Sequence, residues 1–375
     1  MDGFDESFMR RALELALKGA GCTAPNPMVG AVLVRGGEII GEGWHTRDGA
    51  PHAEIECLRD AARRGNSPAG ATMYVTLEPC TTRGRTGACS SAIIRAGVSS
   101  VKIGAVDPNP LHSGRAGEVF ARAGIACEFG ILKDECERLN FIYNYCVANG
   151  RALLAIKYAV SADGKLTSER GRRERITGDA AIADLMRRRK MFSSIGVGSA
   201  TLLADNPRLT SRIAGAGGIA ESCGLRLVFD SGLSLACRAD LRDFHAFSDA
   251  FARNTSVVCS ARASGERAEI FERMGVGIVR IGADWAADPA GFWTELKERL
   301  HSMRISSLMV EGGARVFASI CVGRAADYAF EYASKKVIGR GLDAFEGGKN
   351  FDIEPDGILM LPPDSLKYGK VAYRR

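Results

Sequence analysis

Between Glu6 and Lys18, apolar side chains recur at helical spacing (Phe8, Ala12, Leu15, Ala16), and Gly19 and Gly21 end the run. Val29–Arg35 and Glu38–Trp44 read as strands joined across Gly36-Gly37, a hairpin signal. Helical spacing returns over His52–Arg64, Ala88–Ala96, Glu118–Ala123 and Lys133–Val147, with strands at Thr72–Leu77 and Val101–Val106. This alternation predicts an α/β sandwich with an antiparallel hairpin and later parallel strands. Around Asn144–Arg151 the pattern resets, and Ala152–Val160 opens a second α/β series. Its expected strands are Ile195–Gly198, Leu225–Asp230, Ser256–Ser260, Gly277–Ile281 and Ser306–Glu311. Its expected helices are Ala180–Lys190, Gly291–His301 and Ala314–Val322. The expected domains are residues 1-147 and 150-375, and neither is a copy of the other.

A chain of 375 residues suits two domains, and 46% hydrophobic with 25% charged residues is an ordinary globular composition. No apolar run is long enough to span a bilayer and the acidic start is unlike a secretory signal, so no membrane association and a cytoplasmic location are expected. The net charge of +6, concentrated at Arg170–Arg175 and Arg187–Lys190, is mild for a nucleic-acid binder and suits an anionic small molecule equally well. Of eleven cysteines, nine lie mostly in apolar stretches and read as small buried hydrophobes. Cys80 and Cys89 differ, because turn formers and polar residues surround them.

Pro51-His52-Ala53-Glu54 opens an expected helix, and Glu78-Pro79-Cys80 follows an expected strand. His-x-Glu with a later Pro-Cys and second cysteine is the pattern of zinc deaminases. One imidazole (His52) and two thiolates (Cys80, Cys89) would give three ligands for Zn2+, leaving a fourth position for water. Glu54 is spaced to take that water's proton without ligating, which makes it the expected catalytic residue. Eight residues, Thr81 to Ala88, separate the cysteines, where the common pattern has two. A structural zinc module is the competing reading, but it would have four protein ligands and no use for Glu54.

Pro25-Asn-Pro-Met-Val-Gly30, Gly41-Glu-Gly-Trp-His45, Pro51-His-Ala-Glu54, Tyr74-Val-Thr-Leu-Glu-Pro-Cys80, Gly84-Arg-Thr86 with Cys89, and Asp107-Pro-Asn-Pro110 together resemble the bifunctional riboflavin-biosynthesis deaminase/reductase of bacteria. The resemblance implies a cytidine-deaminase-like α/β/α domain followed by a dihydrofolate-reductase-like α/β domain. It implies removal of a ring amine from 2,5-diamino-6-ribosylamino-4(3H)-pyrimidinone 5′-phosphate, then NADPH-dependent reduction of the ribosyl group to ribityl. By motif, Asn26 and His45 would meet the pyrimidine, Arg85 the phosphate, and Asp107 and Asn109 the pocket edge. Taken alone, Asn26, Asp107 and Asn109 are equally turn residues, and Arg85 a solvated loop residue. The partner is then a small pyrimidine nucleotide rather than a nucleic acid, and the family tends to self-associate as a homo-oligomer.

The likeness continues in Lys157-Tyr-Ala-Val-Ser-Ala-Asp-Gly164, Gly198-Ser-Ala-Thr-Leu-Leu-Ala-Asp-Asn-Pro-Arg-Leu-Thr210 and Val310-Glu-Gly-Gly313. It implies cofactor contacts at Ala159, Arg175, Thr201, Asp205, Ser231, Gly312 and Gly313. It implies substrate contacts at Arg173, Arg189, Leu209, Arg212 and Glu311. Glycines after a strand and before a helix can cradle a phosphate, or be merely geometric. Arg173-Glu-Arg175 stands where the family has Ser-x-Trp, Tyr332–Gly339 lacks a usual proline, and the loop after Cys80 lacks a usual histidine and proline pair. An active deaminase with an altered or inactive reductase half therefore stays open, as does a nucleic-acid deaminase. The long cysteine gap, and basic clusters without interleaved aromatics, weigh against the latter.

Overall fold

The computed structural model describes residues 3–82, 87–169, 174–215, 217–345 and 347–374. Arg85 and Arg173, both expected site residues, lie outside them, as do Arg83 and the rest of the 83–86 and 170–173 segments. The chain divides into two compact units, Met1–Gly150 and Arg151–Arg375. Among the described residues no helix is long and apolar enough to cross a membrane.

The first unit runs α1 (Gly3–Leu17), β1 (Gly30–Arg35), β2 (Glu38–Trp44), α2 (Ala53–Arg63), β3 (Thr72–Leu77), α3 (Cys89–Arg95), β4 (Ser100–Ala105), α4 (Arg115–Arg122), β5 (Ala126–Phe129), α5 (Lys133–Leu139) and α6 (Phe141–Asn149). Its sheet has the order β2-β1-β3-β4-β5. The β1–β2 and β1–β3 pairs are antiparallel, and β3–β4 and β4–β5 parallel. Gly36 and Gly37 both have positive φ (61° and 83°), as the tightest right-twisted hairpin turns require. Alternate side chains of β1 enter opposite cores: Ala31 and Leu33 join Cys57 of α2, while Val32 and Val34 join Met9 and Leu15 of α1. The expected single helix over Lys133–Val147 is instead two helices broken at Asn140, whose backbone (φ −106°, ψ 26°) leaves the helical region. Cys22 and Cys237 are exposed rather than buried, and all eleven cysteines are free thiols.

The second unit runs β6 (Leu153–Val160), β7 (Lys165–Thr167), α7 (Asp179–Met191), β8 (Ser194–Gly198), α8 (Ser199–Asp205), β9 (Ser211–Gly215), β10 (Gly218–Ser222), β11 (Leu225–Phe229), α9 (His245–Ser248), β12 (Thr255–Ser260), α10 (Gly265–Arg273), β13 (Gly277–Ile281), α11 (Pro289–Ser302), β14 (Ser307–Val310), α12 (Ala314–Val322), β15 (Tyr328–Ala333), β16 (Leu342–Asp343), β17 (Phe351–Leu361) and β18 (Asp364–Tyr373). Nine strands form one sheet in the order β13-β12-β11-β8-β14-β6-β15-β18-β17. Pairing is parallel from β13 to β15 and antiparallel across β15–β18–β17. β17 starts as a regular alternation, with Phe351 and Ile353 buried and Asp352 and Glu354 exposed, and the bulge at Pro355–Gly357 then breaks the period of two.

The glycines of β2 set how closely α2 lies on the sheet. A methyl group on Gly43 would fall 2.2 Å from the Cys57 nitrogen and 2.5 Å from the Ala53 carbonyl oxygen, both backbone atoms of α2. Gly43→Ala must therefore push α2 away, at a cost of about 1–3 kcal/mol. A lower unfolding midpoint of the first unit together with reduced zinc content checks this; an unchanged midpoint contradicts it.

Candidate metal centre and reductase cavity

Two local structures bring the metal-ligand candidates together. His52 stands in extended conformation (φ −70°, ψ 162°) at the N-cap of α2, and its side chain makes no capping bond. Cys80 follows β3 after Glu78-Pro79, and Cys89 is the first residue of α3. His52 Nδ1 lies 3.8 Å from Cys80 Sγ and 3.3 Å from Cys89 Sγ, and all three ligand atoms lie within 4.8 Å of one another. A tetrahedral zinc with bonds of ~2.3 Å to sulfur and ~2.05 Å to nitrogen puts those atoms roughly 3.6 Å apart, so the donor set fits the ion in chemistry and in size.

The two thiols are inequivalent. Cys80 is pulled down to about 4, first by the hydrogen bond from the Cys89 thiol and then by His52. The same contact and burial push Cys89 up. The Cys89 amide also donates to Cys80 Sγ at 3.3 Å, which suits a thiolate. Glu54 is 3% exposed, and its carboxyl reaches the Cys89 thiol. Burial pushes Glu54 above the usual carboxylate range, with the His52 charge opposing. A carboxyl poised in this way beside an open coordination position suits proton transfer.

Beside the metal corner, the His45 ring meets His52 edge-on with centroids 5.6 Å apart. Burial lowers the His45 pKa, so Nδ1–H donates to the Pro51 carbonyl (3.1 Å) and Nε2 accepts from Asn26 Nδ2 (3.4 Å). Asn26 Nδ2 also donates to Asp48 Oδ1 at 3.1 Å. Asp48 was not apparent in the sequence, where it is one polar residue of a turn. Asn140 holds this loop from 112 positions away: its Oδ1 accepts from the Met28 amide (2.8 Å) and its Nδ2 donates to the Met28 carbonyl (2.9 Å). Glu78, also missed, accepts from the amides of Asp107 (3.2 Å), Gly114 (2.9 Å) and Ala116 (2.9 Å), tying the ligand loop to α4. Asp107 accepts from the Asn109 amide and the Tyr143 hydroxyl, and Asn109 Oδ1 from the Leu111 amide. Both side chains thus brace their own loop, and Asp107 also ties it to α6.

In the second unit a cavity of about 790 Å³ opens beside the carboxyl ends of the parallel strands. Ala159, Thr201, Asp205, Ser231, Glu311, Gly312 and Gly313 line it, whereas Arg175, Arg189, Leu209 and Arg212 do not. Arg175 turns outward to the Thr177 carbonyl and to Asp179 (2.5 Å), and its neighbours Glu174 and Ile176 face the cavity. Leu209 packs with Ile195 and Val197, and Arg212 donates to Thr210 Oγ1. The Arg189 side chain, 9% exposed, grips Glu311 with two bonds of 2.6 and 2.8 Å. Burial alone would raise Glu311, but the Arg189 charge and hydrogen bonds hold it below the usual range. Lys157 lines the same cavity, unrecognised beforehand as a site residue; burial lowers its pKa and Glu311 opposes. Gly313 has φ of 103°, a conformation that side-chain-bearing residues rarely adopt, and it packs against Gly198.

Residues 3–105 match the cytidine and deoxycytidylate deaminase zinc-binding region, and residues 152–358 the RibD C-terminal domain. The riboflavin biosynthesis protein RibD of Actinobacillus pleuropneumoniae is 35% identical over 339 residues, covering 89% of this chain and 85% of that protein. Its counterpart from Bacillus amyloliquefaciens is 33% identical, with 99% of each chain covered. The solved diaminohydroxyphosphoribosylaminopyrimidine deaminase/5-amino-6-(5-phosphoribosylamino)uracil reductase of Thermotoga maritima superposes with a TM-score of 0.80 at 32% identity, over 99% of both chains. The chain therefore belongs to the RibD family of bifunctional riboflavin-biosynthesis enzymes, with a zinc-binding deaminase region followed by a reductase domain that uses NADPH.

Proposed function

We propose that the first unit deaminates 2,5-diamino-6-ribosylamino-4(3H)-pyrimidinone 5′-phosphate and that the second reduces the ribosyl group of the product to ribityl with NADPH. The observation that carries this reading is the convergence of His52, Cys80 and Cys89 with buried Glu54 beside them. Zinc held there would polarise a water and lower its pKa to roughly 7. Glu54 then holds the proton lost as the water oxygen bonds to the ring carbon, and returns it to the departing nitrogen as the C–N bond breaks and ammonia leaves. Asn26, steadied by His45 and Asp48, faces the pyrimidine, and Arg85 takes the 5′-phosphate.

In the reductase half the backbone at Gly312-Gly313, before the N-terminus of α12, receives the pyrophosphate of NADPH. Ala159, Thr201, Asp205 and Ser231 form the walls around the cofactor. Lys157, beside Glu311, gives its proton to the ribose ring oxygen as the C1′–O bond opens, and hydride adds to C1′. Arg189 acts by fixing Glu311 rather than by touching substrate. Self-association belongs to the same proposal, supported by exposed Ile358 and Met360 on β17, one of the sheet's two edge strands.

Supplying the diaminopyrimidine nucleotide to the purified chain and identifying products by mass tests the order of events. The deaminated ribosyl compound should accumulate without NADPH and the ribityl compound should form with it. Lys157→Met should stop at the first product, whereas unchanged nucleotide under all conditions contradicts the proposal. Glu54→Gln should retain zinc near one per chain and lose deamination by about 10²–10⁴-fold. Retained turnover removes Glu54 from its role.

A further inference from the structure

A second cavity of about 300 Å³ adjoins the larger one, sharing Ser231, Gly232, Trp285 and Phe292 with it. It lies past the carboxyl ends of β11, β12 and β13, where open α/β sheets bind ligands. From β8, whose end borders Gly312-Gly313, to β12 is two strand spacings, roughly 10 Å, a distance of nucleoside size. We infer that this cavity is the subsite for the adenosine 2′-phosphate end of the cofactor, and that Arg262 is the residue that selects NADPH over NADH. The inference rests on the placement of NADPH in the larger cavity.

The surrounding charges single out Arg262. Arg267 donates to the Gly232 carbonyl (3.0 Å) and Arg280 to the Ala263 carbonyl (2.8 Å), so both guanidinium groups are drawn onto the backbone. Arg262 contributes its own amide to Ser260 Oγ (3.2 Å), and its exposed guanidinium has no hydrogen-bond or ion-pair partner among the described residues. The cavity's carboxylate, Asp284, accepts from the amides of Ala286 (2.8 Å) and Ala287 (2.9 Å). Those amides lower its pKa first, with the Arg262 charge contributing last. Nearby Glu295 binds the amides of Gly282 and Ala283, and Asp230 the Leu235 amide and Ser234 hydroxyl. The carboxylates are thus occupied with backbone, and the planar guanidinium fork of Arg262 is available to a phosphate. Trp285 supplies the apolar surface: it stands on the border of both cavities, braced by Phe292 (centroids 5.1 Å) and Phe229 (6.1 Å). A fixed aromatic wall beside a free guanidinium and a hydroxyl matches an adenosine carrying a 2′-phosphate.

The test compares binding of NADPH and NADH, and of adenosine 2′,5′-bisphosphate and 5′-AMP, to the full-length chain by calorimetry. Arg262→Ala should weaken NADPH and the bisphosphate by about 10- to 100-fold, the usual weight of a charge-assisted contact, while NADH and 5′-AMP change by less than about twofold. Arg262→Lys should fall between, since it restores charge without the fork. Thermal midpoints equal to wild type confirm that the exposed substitution leaves the fold intact. Equal losses for NADPH and NADH, or no loss for either, would overturn the assignment of Arg262. Wild-type chain that binds neither dinucleotide would overturn the cofactor placement and the subsite with it.

Discussion

Three donor atoms from two chain segments converge on one point, and much of the first unit is arranged to hold them there. An imidazole and two sulfurs at mutual distances of tetrahedral-site size repel or share protons unless a cation binds them. The fold supports this crowding from both sides. Gly41 and Gly43 let α2 lie against β2, so that His52 and Glu54 arrive together. Glu78 fastens the other segment by accepting three backbone amides immediately before Pro79-Cys80. Removing that carboxylate would leave buried N–H groups unpaired, a penalty of about 1–3 kcal/mol each.

The second unit solves a different problem with a different device. Its cavity collects ionisable groups at the ends of parallel strands, and the Arg189–Glu311 fork fixes a carboxylate inside it. Lys157 lines the same cavity, where burial lowers its pKa and the Glu311 charge opposes. Arg175 turns outward from this cavity, and Trp285, Phe292, Phe229 and Phe317 are among the aromatic side chains that line it.

Local chemistry was legible in the sequence and long-range bracing was not. His52, Glu54, Cys80 and Cys89 sit in short motifs at element boundaries, so spacing alone places them near a common point. The bracing roles of Asp48, Glu78 and Asn140 carry no such signature, even though Glu78 lies within a motif, because their partners lie 22 to 112 positions away. Nor does a motif show what a side chain touches: Arg189 grips Glu311, and Leu209 packs with Ile195 and Val197. The parallel strands were visible as continuous apolar runs. The β15–β18–β17 edge was not, since a bulge at Pro355–Gly357 interrupts the alternation of β17.

X-ray absorption at the zinc edge tests the central geometry most directly. Two sulfurs at about 2.3 Å and two lighter nitrogen or oxygen scatterers at about 2.0–2.1 Å are expected, the lighter pair being His52 and a solvent oxygen. A shell of three or four sulfurs, or one filled by four protein ligands, would contradict an open hydrolytic site and return the centre to a structural role.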